Sequence, residues 1–193
     1  MNSFDLYFKL GWQHIADWQG YDHILFVVVL CLRYVFADWK KVLFLVTAFT
    51  IGHSITLALS VLEVISFKQN LIEFLIPITI IITALSNLKV KKFVFKNKWN
   101  AIYFLALFFG LIHGLGFSNY LKSLLGKGSN IVWELFAFNI GLEVGQLLIV
   151  SAGLLLSFVC LNIFKLNRRE FVLFCSGGVF LVAFIMAIER WPF

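Results

Sequence analysis

Charged residues are scarce in this chain of 193 residues, since Asp, Glu, Lys and Arg together make up only 13% of it. Soluble domains carry about 25% charged residues, and about 45–50% of their residues are apolar. Here the apolar share is 61% and the mean hydropathy is +0.93. The shortage of charge therefore excludes an ordinary soluble domain and predicts an integral membrane protein.

Cysteine and nucleotide-binding motifs are also nearly missing. The three cysteines lie singly in apolar runs, and we interpret them as small core residues rather than as a disulfide framework. The sequence has no P-loop and no large polar domain, so an ATP-driven pump is not expected. No basic stretch leads into a short apolar run near residue 1, so we expect the first span to direct insertion.

The long apolar runs predict one all-α domain over residues 1–193, a polytopic membrane helix bundle with about six transmembrane helices. Residues 1–20 are amphipathic, and we predict an interfacial helix that lies on the bilayer rather than crossing it. The predicted spans are about 21–37, 42–62, 71–88, 100–120, 131–164 and 171–188.

Basic residues are concentrated in the loops that follow the first, third and fifth predicted spans. These loops hold eleven of the sixteen lysines and arginines, which accounts for the net charge of +6 without a nucleic-acid partner. Because short basic loops stay in the cytoplasm, we expect both termini outside the cytoplasm. The predicted location is the cytoplasmic (inner) membrane, with the lipid bilayer as partner, no nucleic acid, and no protein partner that the sequence identifies.

Polar side chains gather in four of the predicted spans, and each of the four histidines lies in or just before an apolar segment. An imidazole or a carboxylate among apolar helices is costly unless it has a partner. At about 1.5 Å of rise per residue, most of these groups fall in one layer of the bundle. The candidate metal ligands are His14, Asp22, His23, His53, His113 and Glu143, and the supporting polar residues are Thr50, Ser54, Asn139 and Gln146.

Imidazole nitrogen with carboxylate oxygen suits a divalent transition metal such as nickel, cobalt, zinc or iron(II). Simpler roles remain open for several of these side chains. Asp22 and His23 could cap a helix start, while His53 and His113 could be hydrogen-bond partners between packed helices. His14 could lie on a solvated surface. Glu143 is a carboxylate in mid-span, which favours a functional role.

Four stretches carry a resemblance to a known family. They are GYDHILF (20–26), FTIGHSITL (49–57), FGLIHGLGF (109–117) and FNIGLEVGQL (138–147). In these motifs the chain resembles the shorter second branch of the HupE/UreJ family of membrane proteins. That resemblance implies a secondary nickel or cobalt permease of the kind associated with hydrogenases and ureases. It also implies that His14 acts with the pair Asp22-His23.

The polar residues are compatible with three functions. A metal permease, which we favour over an enzyme, would admit nickel or cobalt near His14 and bind it among deeper residues such as His53 and Glu143. An intramembrane zinc-dependent hydrolase acting on a lipid or membrane peptide would instead use three histidines around zinc. His23 is expected too near the surface for that site. In the third function, the protein is a non-transporting accessory or assembly subunit, and the polar groups serve only to hold the helices of the bundle together.

Overall fold

The computed structural model describes residues 3–17, 20–90, 101–124 and 130–192. Within these ranges the chain forms helices and no β-strand. The helices are α1 (Ser3–Ala16), α2 (Asp22–Cys31), α3 (Trp39–Val61), α4 (Gln69–Leu88), α5 (Ala101–Leu124), α6 (Ile131–Phe158) and α7 (Arg168–Glu189). A 3₁₀ turn, Phe36–Asp38, precedes α3, and a π-helical turn, Val159–Ile163, extends α6. The lysines predicted in a basic loop at 91–98 lie outside the described residues.

Helices α3 to α7 are each long and apolar enough to cross a membrane. Asparagines start the last two of them. The side-chain oxygen of Asn130 accepts a hydrogen bond from the backbone N–H of Trp133, and that of Asn167 accepts one from Arg169. The chain is an integral membrane protein, and the predicted all-α membrane helix bundle is confirmed.

Helix α1 is packed against the bundle, and its predicted interfacial position on the bilayer stays a prediction. It packs along the first half of α6, with the Phe4 ring 5.6 Å from the Trp133 ring and Ile15 against Gly145. The two helices run in the same direction. Gly11 is buried where the backbones of α1 and α6 meet. Because Gly11 has no side chain, α1 approaches α6 closely enough to bury the apolar face of α1.

The first predicted span is different, because α2 has only ten residues and is too short to cross alone. It begins where α1 ends and reaches the far end of α4, where the Arg33 guanidinium bonds to Ser86 and Asn87. Arg168, at the start of α7, donates to the Arg33 carbonyl at 2.6 Å. Helix α1 ends at Ala16 and α2 begins at Asp22, and we call these two helices in series the broken span; among the described residues it lies beside the five long helices α3 to α7.

The two ends of the bundle differ in character. A cavity opens at the end of the bundle where α4 and α6 begin, and we call this end the cavity side. The opposite end carries Arg33, Arg168 and Arg169, and we call it the basic side. Between them, Phe26, Phe49 and other apolar residues form the larger of two buried clusters. Helix α1 thus ends, and α2 begins, inside the protein between the two sides.

Helices α3 and α5 approach each other as closely as α1 and α6 do. A Cβ atom on Gly52 would lie 2.2 Å from the Leu107 carbonyl oxygen, and one on Gly110 would lie 2.1 Å from that of Phe49. Such contacts between small residues are the usual means of close packing in membrane helices. The close packing of α3 against α5 brings His53 and His113 toward the point where α1 ends and α2 begins.

Candidate metal centre

Three histidines from three helices meet at the break in the first span. His14 lies in the last turn of α1, His23 is the second residue of α2, and His53 is in the middle of α3. One ring nitrogen from each lies within 4.8 Å of the other two, a spacing that could hold a metal ion. His53 is fully buried, His23 is buried and His14 is half-buried. We call these three residues the histidine cluster.

Four ring nitrogens of the histidine cluster lack hydrogen-bond partners among the described residues. This holds for Nε2 of His14, Nε2 of His23 and both nitrogens of His53, each of which is buried. Buried polar atoms in proteins are nearly always paired, so each exception calls for an explanation. Several unpaired imidazole nitrogens at this spacing could hold a metal ion.

Asp22 fixes the orientation of His23. Nδ1–H of the ring donates to Asp22 Oδ1 at 2.9 Å, which leaves Nε2 with its lone pair turned to the cluster. The other carboxylate oxygen, Oδ2, accepts a hydrogen bond from Nη1 of Arg190 at 3.1 Å. A carboxylate that holds the second nitrogen of a ligating histidine is a common outer partner of metal sites. Asp22 was predicted as a ligand, and this geometry favours a supporting role for it.

His113 lies beside the histidine cluster rather than in it. Its ring centre is 4.9 Å from that of His23. The Thr79 hydroxyl donates to the Ile76 carbonyl at 2.7 Å, so it accepts from Nε2–H of His113 at 3.2 Å. The remaining nitrogen, Nδ1, is buried without a partner among the described residues. His113 is therefore placed to assist the cluster, with one lone pair free.

A cavity of about 1060 Å³ leads from the cavity side to the histidines. His14, His23 and His113 contribute to its lining, and so do the carboxylates of Asp17 and Glu73. His53 is not part of the lining and lies behind the other rings. A cation that enters this cavity would therefore meet carboxylates and two cluster histidines before His53.

The supporting residues of α3 and α6 bond to each other on the basic side of His53. Thr50 Oγ1 donates to Gln146 Oε1 at 2.9 Å, and Thr47 Oγ1 donates to Glu143 Oε1 at 2.8 Å. Glu143 is therefore bonded to a residue six positions before His53 and is not in the three-histidine group. The predicted metal-binding role of Glu143 stays a prediction, at a different depth from the one expected.

The other two supporting residues turn to their own helices. Ser54 Oγ donates to the Thr50 carbonyl at 2.6 Å, and Asn139 Nδ2 donates to the Leu135 carbonyl at 2.8 Å. Asn139 Oδ1 is buried and has no partner among the described residues. Neither residue belongs to the group that could hold a metal ion.

Sequence reasoning missed Arg190, Thr79 and Thr47, and it misjudged the depth of His23. Arg190 follows the sixth predicted span and Thr79 lies in the third, and neither of these spans contains a histidine that drew attention. His23 was expected too near the surface to share a site with His53. The break puts it inside the bundle instead, 5% exposed, with its ring centre 6.4 Å from that of His53.

A comparison with protein families identifies the family of this chain. The family model described as HupE / UreJ protein matches residues 1–190. The chain belongs to the HupE/UreJ family. No curated protein and no solved structure matches it. The HupE/UreJ family is associated with nickel and cobalt transport, and the matched residues include the whole histidine cluster together with Asp22 and Arg190.

Replacing Asp22 by asparagine should weaken nickel binding in this HupE/UreJ protein. The variant keeps the shape of the side chain but loses the charge that holds His23 and pairs with Arg190. Loss of such an outer partner typically costs about 10–100-fold in metal affinity. Titration of the purified protein in detergent measures the affinity, and ¹⁵N NMR of the histidine rings measures the tautomer of His23.

The matched control is Glu170→Gln, which changes an exposed carboxylate at the basic side. It should bind nickel as the wild type does. If Asp22→Asn also bound nickel with unchanged affinity and an unchanged His23 tautomer, the supporting role of Asp22 would be ruled out.

Proposed function

We propose that this protein is a secondary permease for a divalent transition metal, nickel or cobalt, and that the histidine cluster binds the metal during transport. The observation that carries the proposal is the set of unpaired, buried ring nitrogens at the floor of a cavity. They lie at the break of a discontinuous span, and broken helices form the substrate sites of many transporters. The association of the family with nickel and cobalt transport supports the same function.

The donor set favours nickel and cobalt as substrates. Imidazole nitrogen suits nickel, cobalt and zinc, whereas copper(I) prefers thiolate or thioether ligands. The group of described residues that could hold a metal consists of three histidines and contains no cysteine. Asp22, whose carboxylate bonds to His23, is balanced by Arg190. Binding of a dication therefore leaves positive charge inside the protein, which suits a transient site better than a permanent one.

The asymmetry of the bundle supports a direction. We place the basic side in the cytoplasm by the positive-inside rule, so the cavity opens to the outside of the inner membrane. A potential of 100 mV supplies about 2.3 kcal/mol per unit charge, and thus about 4.6 kcal/mol for a dication moving inward. Closure of the cavity and opening toward the basic side would complete the transport cycle.

The alternative of a zinc-dependent hydrolase is less well supported. The three histidines do meet, as a zinc site requires. A hydrolase also needs a base near the metal to activate water. Asp22 has both carboxylate oxygens engaged, and Glu143 bonds to Thr47 outside the group. The geometry therefore disfavours both Asp22 and Glu143 as the general base.

Uptake into proteoliposomes tests the proposed function. Wild-type protein should carry nickel or cobalt into the lumen at a rate that saturates with metal and rises with a negative-inside potential. His53→Ala should remove this uptake, because His53 is the deepest ligand, while Glu170→Gln should leave it intact. Zinc held at one equivalent through extensive washing, together with no uptake of any metal, would contradict the permease and favour the hydrolase.

A further inference from the structure

Glu143 is a carboxylate in the middle of α6 that no cation balances among the described residues. The ion pairs of the described residues involve Asp22 and Asp38, and none involves Glu143. Its bonded partner is the neutral hydroxyl of Thr47. An ionisable group at this depth is costly and marks an ion pathway more often than a packing contact.

Gln146 and Thr50 form a second polar pair beside the first, one turn beyond Glu143 along α6 and one turn nearer than Thr47 to His53 along α3. Gln146 is fully buried, its Oε1 accepts from Thr50, and its Nε2 has no partner among the described residues. On α6, Glu143 and Gln146 are three residues apart and therefore lie on the same face of the helix. On α3 the threonines continue the row that ends at His53, in steps of about 4.5 Å along the axis.

We propose that the Thr47–Glu143 and Thr50–Gln146 pairs form a second cation site, the oxygen site, which receives the metal from the histidine cluster. This inference rests on the proposed function. The oxygen site offers a carboxylate, an amide oxygen and hydroxyl oxygens, whereas the cluster offers imidazole nitrogens. Its place on the basic side of His53 puts it on the side opposite the cavity.

The difference in donor chemistry gives the oxygen site its role in transport. Nickel and cobalt bind well to imidazole, while carboxylate and carbonyl oxygens suit harder ions such as manganese and magnesium. A metal that moves from nitrogen to oxygen donors is therefore held less tightly and is closer to release. The negative charge of Glu143 compensates the dication where Asp22, already balanced by Arg190, does not.

Binding of Mn²⁺, followed by electron paramagnetic resonance in detergent, tests the oxygen site without relying on transport. Wild type and His53→Ala should both bind Mn²⁺, because this ion prefers oxygen ligands, and Glu143→Gln should bind it at least about tenfold more weakly. Glu170→Gln is the matched control and should bind as wild type does. Mn²⁺ binding that Glu143→Gln leaves unchanged would overturn the proposal.

Nickel titration and uptake then separate the two sites. Glu143→Gln should keep the nickel affinity of the wild type, since the cluster is intact, and should lose most of the uptake. A variant that binds nickel as weakly as His53→Ala would make Glu143 a direct partner of the cluster and refute a separate site. Full uptake by Glu143→Gln would also refute it.

Thr47 provides a second variant that keeps the carboxylate. Thr47→Val removes the hydroxyl that bonds to Glu143 and should reduce Mn²⁺ binding and uptake, whereas Thr47→Ser should restore both. Equal behaviour of the two variants would exclude the hydroxyl from the oxygen site. If wild-type protein transports no metal, the permease fails, and the Mn²⁺ measurement still decides whether the oxygen site exists.

Discussion

Replacing His23 by alanine should abolish tight binding of nickel. The residue supplies one of three ring nitrogens that lie within 4.8 Å of one another, and its Nε2 is buried without a partner among the described residues. Loss of an outer partner already costs up to about 100-fold in affinity, so loss of a ligand should cost more. Isothermal titration of nickel into the purified protein measures this effect directly.

His113→Ala is the matched comparison for His23→Ala. The His113 ring is buried like that of His23 and lies beside the histidine cluster. However, Nε2 of His113 bonds to Thr79, and His113 is outside the three-histidine group. We expect a smaller loss of affinity from this variant. Equal and modest losses from both variants would mean that the histidine cluster is not the binding site.

Replacing Gly11 by alanine should have the second largest effect, because it separates α1 from α6. A Cβ atom there would lie 2.0 Å from the Phe138 carbonyl oxygen and 2.9 Å from the Leu142 backbone nitrogen. Overpacking of this kind costs about 1–3 kcal/mol, and here the backbone of α1 itself must move. Since α1 carries His14, the variant should lose both thermal stability and nickel affinity.

A double-mutant cycle distinguishes this effect from general damage. If Gly11→Ala acts by moving His14 away from the cluster, adding His14→Ala should weaken nickel binding little further. Gly153→Ala is the matched control, because a Cβ atom at Gly153 meets nothing within 4 Å. Additive losses from the two changes, or normal nickel binding by Gly11→Ala, would contradict the placement of α1.

Much of the fold could be predicted because bilayer-spanning helices leave a simple signal in the sequence. The predicted span at 131–164 matches the observed helix Ile131–Phe158 with its π-helical extension to Ile163. The candidate residues could be found for a related reason. Histidines such as His53 stand out where nearly every neighbour is apolar, and their cost demands a partner.

The broken span could not be predicted, since its cause lies in tertiary contacts. Residues 1–20 contain Asp5, Lys9 and Asp17 and resemble a surface helix when taken alone. Only packing against α6, through Gly11 and Gly141, puts α1 inside the bundle. Without that contact, the depth of His14 and His23 is underestimated.

The partners of the site were hidden for a different reason. Arg190 follows α7 and looks like an ordinary charge at a membrane surface, although it bonds to Asp22, 168 positions earlier in the chain. Glu143 was noticed, but its depth was estimated from helix boundaries alone. The crossing of α3 and α6 decides that it meets Thr47 rather than His53.

X-ray absorption at the nickel edge, on purified protein loaded with one equivalent of nickel, tests the central claim most directly. We expect imidazole nitrogens from the histidine cluster in the first coordination shell of the nickel, with the remaining positions filled by oxygen. His53→Ala should reduce the number of bound imidazoles. A shell made only of oxygen, unchanged in His53→Ala, would show that the histidines do not hold the metal.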